Sequence, residues 1–144
     1  MSNMYLAIRL RGGVKTRKDV KDTLKLLRLN RKMHSVVLKE NGVNKGMLTK
    51  SRSWITWGEV DDSILKLLIK KRGRKTGNKR LEEKEAEEIF NKIKSEEKIP
   101  EKIKPVFRLT PPSKGFRGPI KQHYPKGELG YRGKEINKLA KRMI

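Results

Sequence analysis

The 144-residue sequence contains no cysteine, two histidines and no apolar run near the roughly 20 residues that a membrane-spanning helix needs. The lack of cysteine excludes disulfides, thiolate metal sites and cysteine nucleophiles. Acidic residues are also scarce, since 16 Asp and Glu stand against 38 Lys and Arg. We therefore expect a soluble, intracellular protein without covalent cross-links.

Residues that could support catalysis are few. His34 lies in or beside a predicted strand and His123 in a proline-flanked loop, and neither has a metal-ligating partner three or four residues away. The glutamates between 82 and 88 are typical of a solvated first helical turn, where the helix dipole favours carboxylates. We expect no enzyme and no bound metal or cofactor. An enzyme that modifies or cleaves RNA through His34 or His123 is a minor alternative.

The abundant feature is positive charge, which amounts to a formal +22. Residues 1–60 carry 14 basic and 4 acidic side chains, residues 61–104 carry 14 and 10, and residues 105–144 carry 10 and 2. A compact body with such charge repels itself unless a polyanion is present. Nucleic acid is the partner whose regularly spaced phosphates attract Lys and Arg.

Hydrophobic periodicity predicts an α+β protein. Three strand-like runs alternate with two amphipathic helices in the first sixty residues, which makes a β-α-β-α-β core. In the third run, Ile55, Trp57 and Glu59 share one face of the strand, and Trp54, Thr56 and Gly58 share the other. The predicted strands are 4–10, 34–40, 54–60 and 106–109. The predicted helices are 17–29, 43–53, a third that follows a cap at Asp61 or Asp62 and ends before Gly73, 81–95 and 135–143, and 110–134 is predicted as an extended loop.

Two helix ends carry capping signals. Thr16 and Asp19 suit the first turn of the first helix, and Asp61 or Asp62 can cap the third. Gly73 suits the position just after the third helix.

Three basic, glycine-bearing loops are the candidate contact regions: residues 9–17, 70–80 and 113–133. Glycine lets backbone N–H groups approach phosphate, and rings such as Tyr124 and Tyr131 can stack on unpaired bases. Plainer explanations exist for each loop. The first is also compatible with a tight turn, the second with a solvated charged face, and the two tyrosines with pinning a loop to the core.

Several motifs in order resemble one protein family. They are LNRK at 29–32, HSVVL at 34–38, KGML at 45–48, WITWGEV at 54–60, KRGR at 71–74, GNKRL at 77–81, FRLTPP at 107–112 and LGYRG at 129–133. Together they resemble the ribosomal protein family numbered thirtieth in the bacterial large subunit, in its longer archaeal form.

The resemblance implies a three-stranded antiparallel sheet with helices on one face, related to ferredoxin-like folds, plus a helical and extended C-terminal elaboration. Residues 1–60 would form the ribosomal-protein core, and 61–144 a basic region packed on the core and on rRNA. It also implies a structural, monomeric constituent of the large ribosomal subunit, located on cytoplasmic ribosomes. The expected partners are large-subunit rRNA and other large-subunit proteins, without membrane or small-molecule substrate.

The predicted rRNA contacts are the basic residues of the candidate loops and their neighbours. A free RNA-binding or RNA-chaperone module is the main alternative, and architectural binding of duplex DNA is another. The predicted contact residues are Arg11, Lys15, Arg17, Arg28, Arg31, Lys32, Lys45, Lys50, Arg52, Arg72, Arg74, Lys75, Lys79, Arg80, Lys114, Arg117, Lys121, His123, Lys126 and Arg132.

Overall fold

The structure is a computed structural model that describes residues 4–12, 17–75, 79, 82–96, 106–113, 115–116, 118–120, 122–124 and 126–144. Its described elements form an α+β fold in which the predicted β-α-β-α-β core is confirmed. In chain order they are β1 (Met4–Arg9), α1 (Lys18–Leu26), β2 (His34–Lys39), α2 (Gly42–Lys50), β3 (Ile55–Glu59), α3 (Asp62–Arg72), α4 (Glu83–Glu96), β4 (Phe107–Arg108), β5 (Gly130–Tyr131), a 3-10 turn (Gly133–Glu135) and α5 (Ile136–Met143).

The strands form one mixed sheet in the order β4-β2-β1-β3-β5. Strand β1 pairs antiparallel with both β2 and β3, so these two run parallel to each other and α2 is the crossover between them. The expectation of a three-stranded antiparallel sheet is wrong, because β4 adds an antiparallel edge and β5 a parallel one. Each added strand has two residues, too few for a period-two pattern to stand out in the sequence.

Helices cover both faces of the sheet, which corrects the expectation of helices on one face. Leu6 and Ile8 point into a cluster that also contains Leu68 of α3, Phe90 of α4 and Leu139 of α5. Tyr5 and Ala7 point into the opposite cluster, with Leu24 of α1, Leu48 of α2 and Trp57 of β3. All six residues of β1 are buried, as a central strand between two helical layers requires.

The C-terminal segment is docked on β3 at close range. A Cβ added to Gly58 would lie 1.9 Å from the carbonyl oxygen of Gly133, so no other residue fits there unless the backbone shifts. Thr56 Oγ1 donates to the Gly130 carbonyl at 2.9 Å. Residues from both predicted segments, 1–60 and 61–144, therefore share one core, and the division at residue 60 stays a prediction.

The helix ends differ in part from the predictions. Thr16 lies outside the described residues, and Arg17 occupies the N-cap of α1 without a side-chain cap bond. Asp61 is the N-cap residue of α3, again without such a bond, and Gly73 ends α3 with φ of −65°, not in the left-handed region. A side-chain cap is formed instead at α2, where Asn41 Oδ1 accepts from the Asn44 N–H at 2.8 Å.

Candidate nucleic-acid interface

Three chain segments meet where β1 ends and where β2 and β3 begin. Arg9 pairs with Ile55 in the register of β1 and β3, and the Met33 N–H donates to the Arg9 carbonyl at 2.7 Å. The Leu10 N–H donates to the Trp54 carbonyl at 2.9 Å. We call this end of the sheet the basic end, and define it by Arg11, Arg28, Arg31, Lys32, Lys50 and Arg52.

The basic end is organised by Arg9, which is only 5% exposed. Its Nη1 donates to the Leu29 carbonyl at 2.7 Å, and its Nε donates to the Arg11 carbonyl at 2.8 Å. Burial lowers the pKa of Arg9 below its ordinary value. Since a buried charge is costly unless hydrogen-bonded, these carbonyls and the guanidinium hold one another in place.

The loop between α1 and β2 is held in an uncommon backbone conformation. Arg28 and Met33 both have positive φ, at 63° and 65°, although neither is glycine. Such residues persist where the surroundings fix them. Here the Leu29 N–H donates to the Leu24 carbonyl at 2.9 Å, and the Leu109 N–H donates to the Met33 carbonyl at 3.0 Å. The exposed side chains of Arg28, Arg31 and Lys32 therefore extend from a fixed scaffold.

The described start of the first predicted loop, residues 9–12, lies against this scaffold. Lys32 crosses over Gly12, where an added Cβ would be 3.1 Å from Lys32 Cε. The Arg11 guanidinium donates to the Ser53 carbonyl at 3.1 Å and lies 5.7 Å from the centre of the Trp54 ring. Contacts of this kind hold the Arg11 guanidinium beside the start of β3 while its positive charge is retained.

The pKa of His34 is sensitive to the positive charge at this end of the sheet. It begins β2 and pairs with Arg108 of β4. Burial lowers the pKa of His34, and the positive charges of Arg108, Arg31 and Arg9 lower it further. Strand β4 thus adds Arg108 to the neighbourhood of the basic end, a residue that the sequence did not single out.

The second predicted loop, at 70–80, is partly neutralised by α4. Lys70 Nζ lies 3.3 Å from Glu83 Oε1, and Lys75 Nζ lies 2.5 Å from Glu85 Oε1. The sequence shows a run of cations without a carboxylate, but the fold supplies carboxylates from the next helix. Arg74 donates to the Lys71 and Gly73 carbonyls, and Arg72 lies 3.4 Å from Thr110 Oγ1.

In the third predicted loop, Arg132 is buried inside the protein. Its Nη2 lies 2.8 Å from Glu128 Oε2, and its Nε donates to Thr56 Oγ1 at 2.8 Å. Its guanidinium is also 5.5 Å from the centre of the Tyr124 ring. These contacts join the loop to β3, so Arg132 has a structural function, and its rRNA contact stays a prediction.

The predicted contact residues fall into groups by exposure. Half-buried residues are Arg11, Arg72, Arg74 and Lys75, and Arg132 is buried. Five predicted residues, Lys15, Arg80, Lys114, Arg117 and Lys121, lie outside the described residues. The exposed ones are Arg17, Arg28, Arg31, Lys32, Lys45, Lys50, Arg52, Lys79, His123 and Lys126.

Sequence reasoning missed Arg9, the residue that orders the basic end. Arg9 ends an apolar run, and a charged residue at the end of a strand is expected to face solvent. Its position in the sequence therefore gave little indication that its side chain is buried. Within the described part of the chain, no cluster of three or more His, Cys, Asp or Glu could hold a metal ion. No described helix combines the length and apolar character needed to cross a membrane.

Comparison with known proteins gives one consistent family. A family model described as ribosomal protein L30p/L7e matches residues 5–55. The large ribosomal subunit protein uL30 of Thermofilum pendens is 45% identical, over 98% of this chain and 99% of that protein. The proteins of the same name from Staphylothermus marinus and Methanosphaera stadtmanae are 43% and 41% identical, over 100% and 98% of this chain and 100% of each relative. Because this identity extends from β1 to α5, the chain belongs to the uL30 family, which confirms the resemblance drawn from its motifs.

Proposed function

We propose that this protein is a structural constituent of the large ribosomal subunit that binds large-subunit rRNA mainly through the basic end. As a member of the uL30 family it is a ribosomal structural protein and not an enzyme, and it is found on ribosomes in the cytoplasm. The part that goes beyond family membership is the location of the rRNA contact.

The observation that carries this proposal is the scaffold around Arg9. Exposed Arg28, Arg31 and Lys32 extend from a loop whose backbone is already fixed by buried hydrogen bonds. Long basic side chains on an ordered backbone lose less conformational freedom on binding than the same side chains on a mobile loop. Phosphate contacts from such a surface position a protein on folded RNA by shape.

The α4 side of the molecule is less suited to this contact. Glu83 and Glu85 neutralise Lys70 and Lys75 there, and α4 exposes further glutamates. An RNA backbone would meet carboxylates as well as cations on that side.

Salt-dependent binding to large-subunit rRNA fragments tests the proposal. Replacing Arg31 and Lys32 by Ala should weaken binding and reduce the dependence of log affinity on log salt by about 0.7–0.9 for each lost phosphate contact. Replacing Lys84 and Lys92 of α4 by Ala removes the same charge from exposed positions and is the matched control. Equal losses in the two double variants would contradict contact at the basic end.

A free RNA-chaperone module is the second candidate, favoured only by the overall charge of +22. Co-sedimentation separates the two functions. A constituent of the subunit should be present in near-equal amount to the large subunit and resist moderate salt, whereas a chaperone should be substoichiometric and wash off.

A further inference from the structure

The end of the sheet opposite the basic end carries two carboxylates. Only four acidic residues occur in the first sixty positions, and two of them, Glu40 and Glu59, lie where β2 and β3 end. Tyr5, at the start of β1, is paired with Glu59 in the strand register. Because β1 is antiparallel to β2 and β3, its start lies beside their ends. The three strands therefore have a basic end and, opposite to it, an acidic end.

A cavity of about 390 Å³ opens at this acidic end, on the sheet face that α1 and α2 cover. Because side chains alternate along a strand, Trp57 and Glu59 share this face. The register with β5 places Tyr131 beside Trp57, and α2 contributes Lys45 to the rim.

Aromatic rings and carboxylates line the cavity together. The Trp57 and Tyr131 ring centres are 6.0 Å apart at an interplanar angle of 51°, and Tyr131 is 51% exposed. Tyr131 Oη donates to Glu59 Oε1 at 2.5 Å, and Tyr5 Oη donates to Glu40 Oε1 at 3.4 Å. The hydrogen bond to Glu59 raises the pKa of Tyr131 to about 12, and burial, followed by Glu40 and Glu59, raises the pKa of Tyr5.

Lys45 is the cation on the rim, but it does not neutralise the cavity. Among the described residues, no ion pair within 4.0 Å joins Lys45 to Glu40 or Glu59. The lining therefore has one positive and two negative formal charges, in a chain whose total is +22. A phosphate backbone would be repelled by the two carboxylates, whereas a cation would be attracted to them.

We propose that this cavity binds an arginine side chain from a basic segment of a second protein. A guanidinium can stack on the exposed Tyr131 ring and present its planar N–H fork to Glu59, which a compact lysine ammonium does less well. The contact is distinct from rRNA binding and uses the opposite end of the molecule. Charge complementarity between the acidic cavity and a basic segment determines the kind of partner.

The full-length protein can be tested with short peptides by NMR. The probes are acetyl-Gly-Arg-Gly-amide and matched peptides with Lys or with citrulline, the neutral isostere of arginine, all at the same ionic strength. The two tryptophan indole N–H signals are the readout, and Trp54→Phe assigns them. The Arg peptide should shift the Trp57 signal and leave the Trp54 signal unchanged, with at least threefold weaker binding of the Lys peptide and no response to citrulline.

Charge-neutral variants provide the controls. Glu59→Gln should weaken the Arg peptide at least fivefold, and Glu40→Gln, at an exposed position, tests the same idea if Glu59→Gln perturbs the fold. Glu83→Gln on α4 removes the same charge far from the cavity and should bind like the original protein. The proposal is overturned if Glu83→Gln weakens binding as much as Glu59→Gln, if citrulline binds as well as arginine, or if the Trp57 signal does not respond.

Photo-crosslinking in assembled large subunits tests the source of the ligand. A benzoyl-phenylalanine replacing Tyr131 should crosslink to a protein segment that contains arginine. Crosslinking to rRNA instead would overturn the assignment of a protein partner, while leaving rRNA binding at the basic end unaffected.

Discussion

Arg132 and Glu128 form an ion pair inside the protein, with Nη2 and Oε2 2.8 Å apart and both side chains less than 10% exposed. Glu128 also accepts from the Gly118 N–H at 3.0 Å. The pair therefore ties the backbone at Gly118 to β3, to which Arg132 is bonded through Thr56.

Breaking this pair should destabilise the protein strongly. Glu128→Ala leaves a buried guanidinium without its carboxylate, and the loss of one partner of a buried pair costs about 3–5 kcal/mol. Chemical denaturation measures the change. The double variant Glu128→Leu and Arg132→Met should lose less than Glu128→Ala, because it leaves no buried charge unpaired. A larger loss in the double variant would mean that packing, and not charge, sets the effect.

Arg9→Met should lower both stability and RNA affinity. The substitution leaves the Leu29 and Arg11 carbonyls without their buried donor, which costs about 1–3 kcal/mol for an unsatisfied group. Hydrogen exchange at the Leu29 amide should accelerate, because the loop loses its support. Since the Arg9 side chain is buried, the salt dependence of RNA binding should change less than in the Arg31→Ala, Lys32→Ala variant. An equal change would assign Arg9 a direct contact.

The ion pairs with α4 divide the second basic loop into two classes of cation. Replacing Arg74 and Lys79 by Ala should weaken RNA binding more than replacing Lys70 and Lys75, because the latter pair is already matched with Glu83 and Glu85. Salt-dependent binding measures both double variants, which remove the same charge. The opposite order would indicate that α4 releases its partners when RNA binds.

His34 should make stability fall in mild acid. Its pKa is lowered in the folded protein by burial and by three arginines, while the unfolded chain has the ordinary value of about 6.5. The unfolded state therefore binds its proton first as pH falls, so the His34 contribution is complete above about pH 6.5 and is lost toward the folded pKa. Denaturation at pH 7.5 and pH 5 should show a smaller difference for His34→Gln than for the original protein. His123→Gln, at the exposed histidine, is the control and should behave like the original.

Much of the first sixty residues could be predicted, because each strand there carries enough residues to show its period. The run from Met4 to Ile8 is apolar, and Ile55 and Trp57 share one face of β3 as expected. Strand β5 could not be found, since two residues give no pattern and its pairing with Thr56 joins positions 74 apart in sequence.

For the candidate rRNA-binding site, the sequence predicted the positive charge but not the buried contacts. Exposed Arg28, Arg31 and Lys32 follow from the basic motif at 29–32 and its surroundings. The buried role of Arg132 does not, because Glu128 is the single acidic residue of the sequence at 113–133 and nothing in that sequence shows that the two side chains are buried together. The acidic cavity could not be predicted from the sequence either, since Glu40 and Glu59 come together only when β2 and β3 flank β1.

The C-terminal part of the chain covers one face and one edge of the three central strands. Leu6 and Ile8 are covered on one face by α3, α4 and α5, and β5 protects the free edge of β3. During synthesis, residues 4–59 leave the exit tunnel with that face and both sheet edges exposed, and an exposed edge is a template for wrong pairing. The fold can close only once residues 130–143 have emerged. A stalled or truncated nascent chain therefore exposes the aggregation-prone surface that the full-length protein conceals.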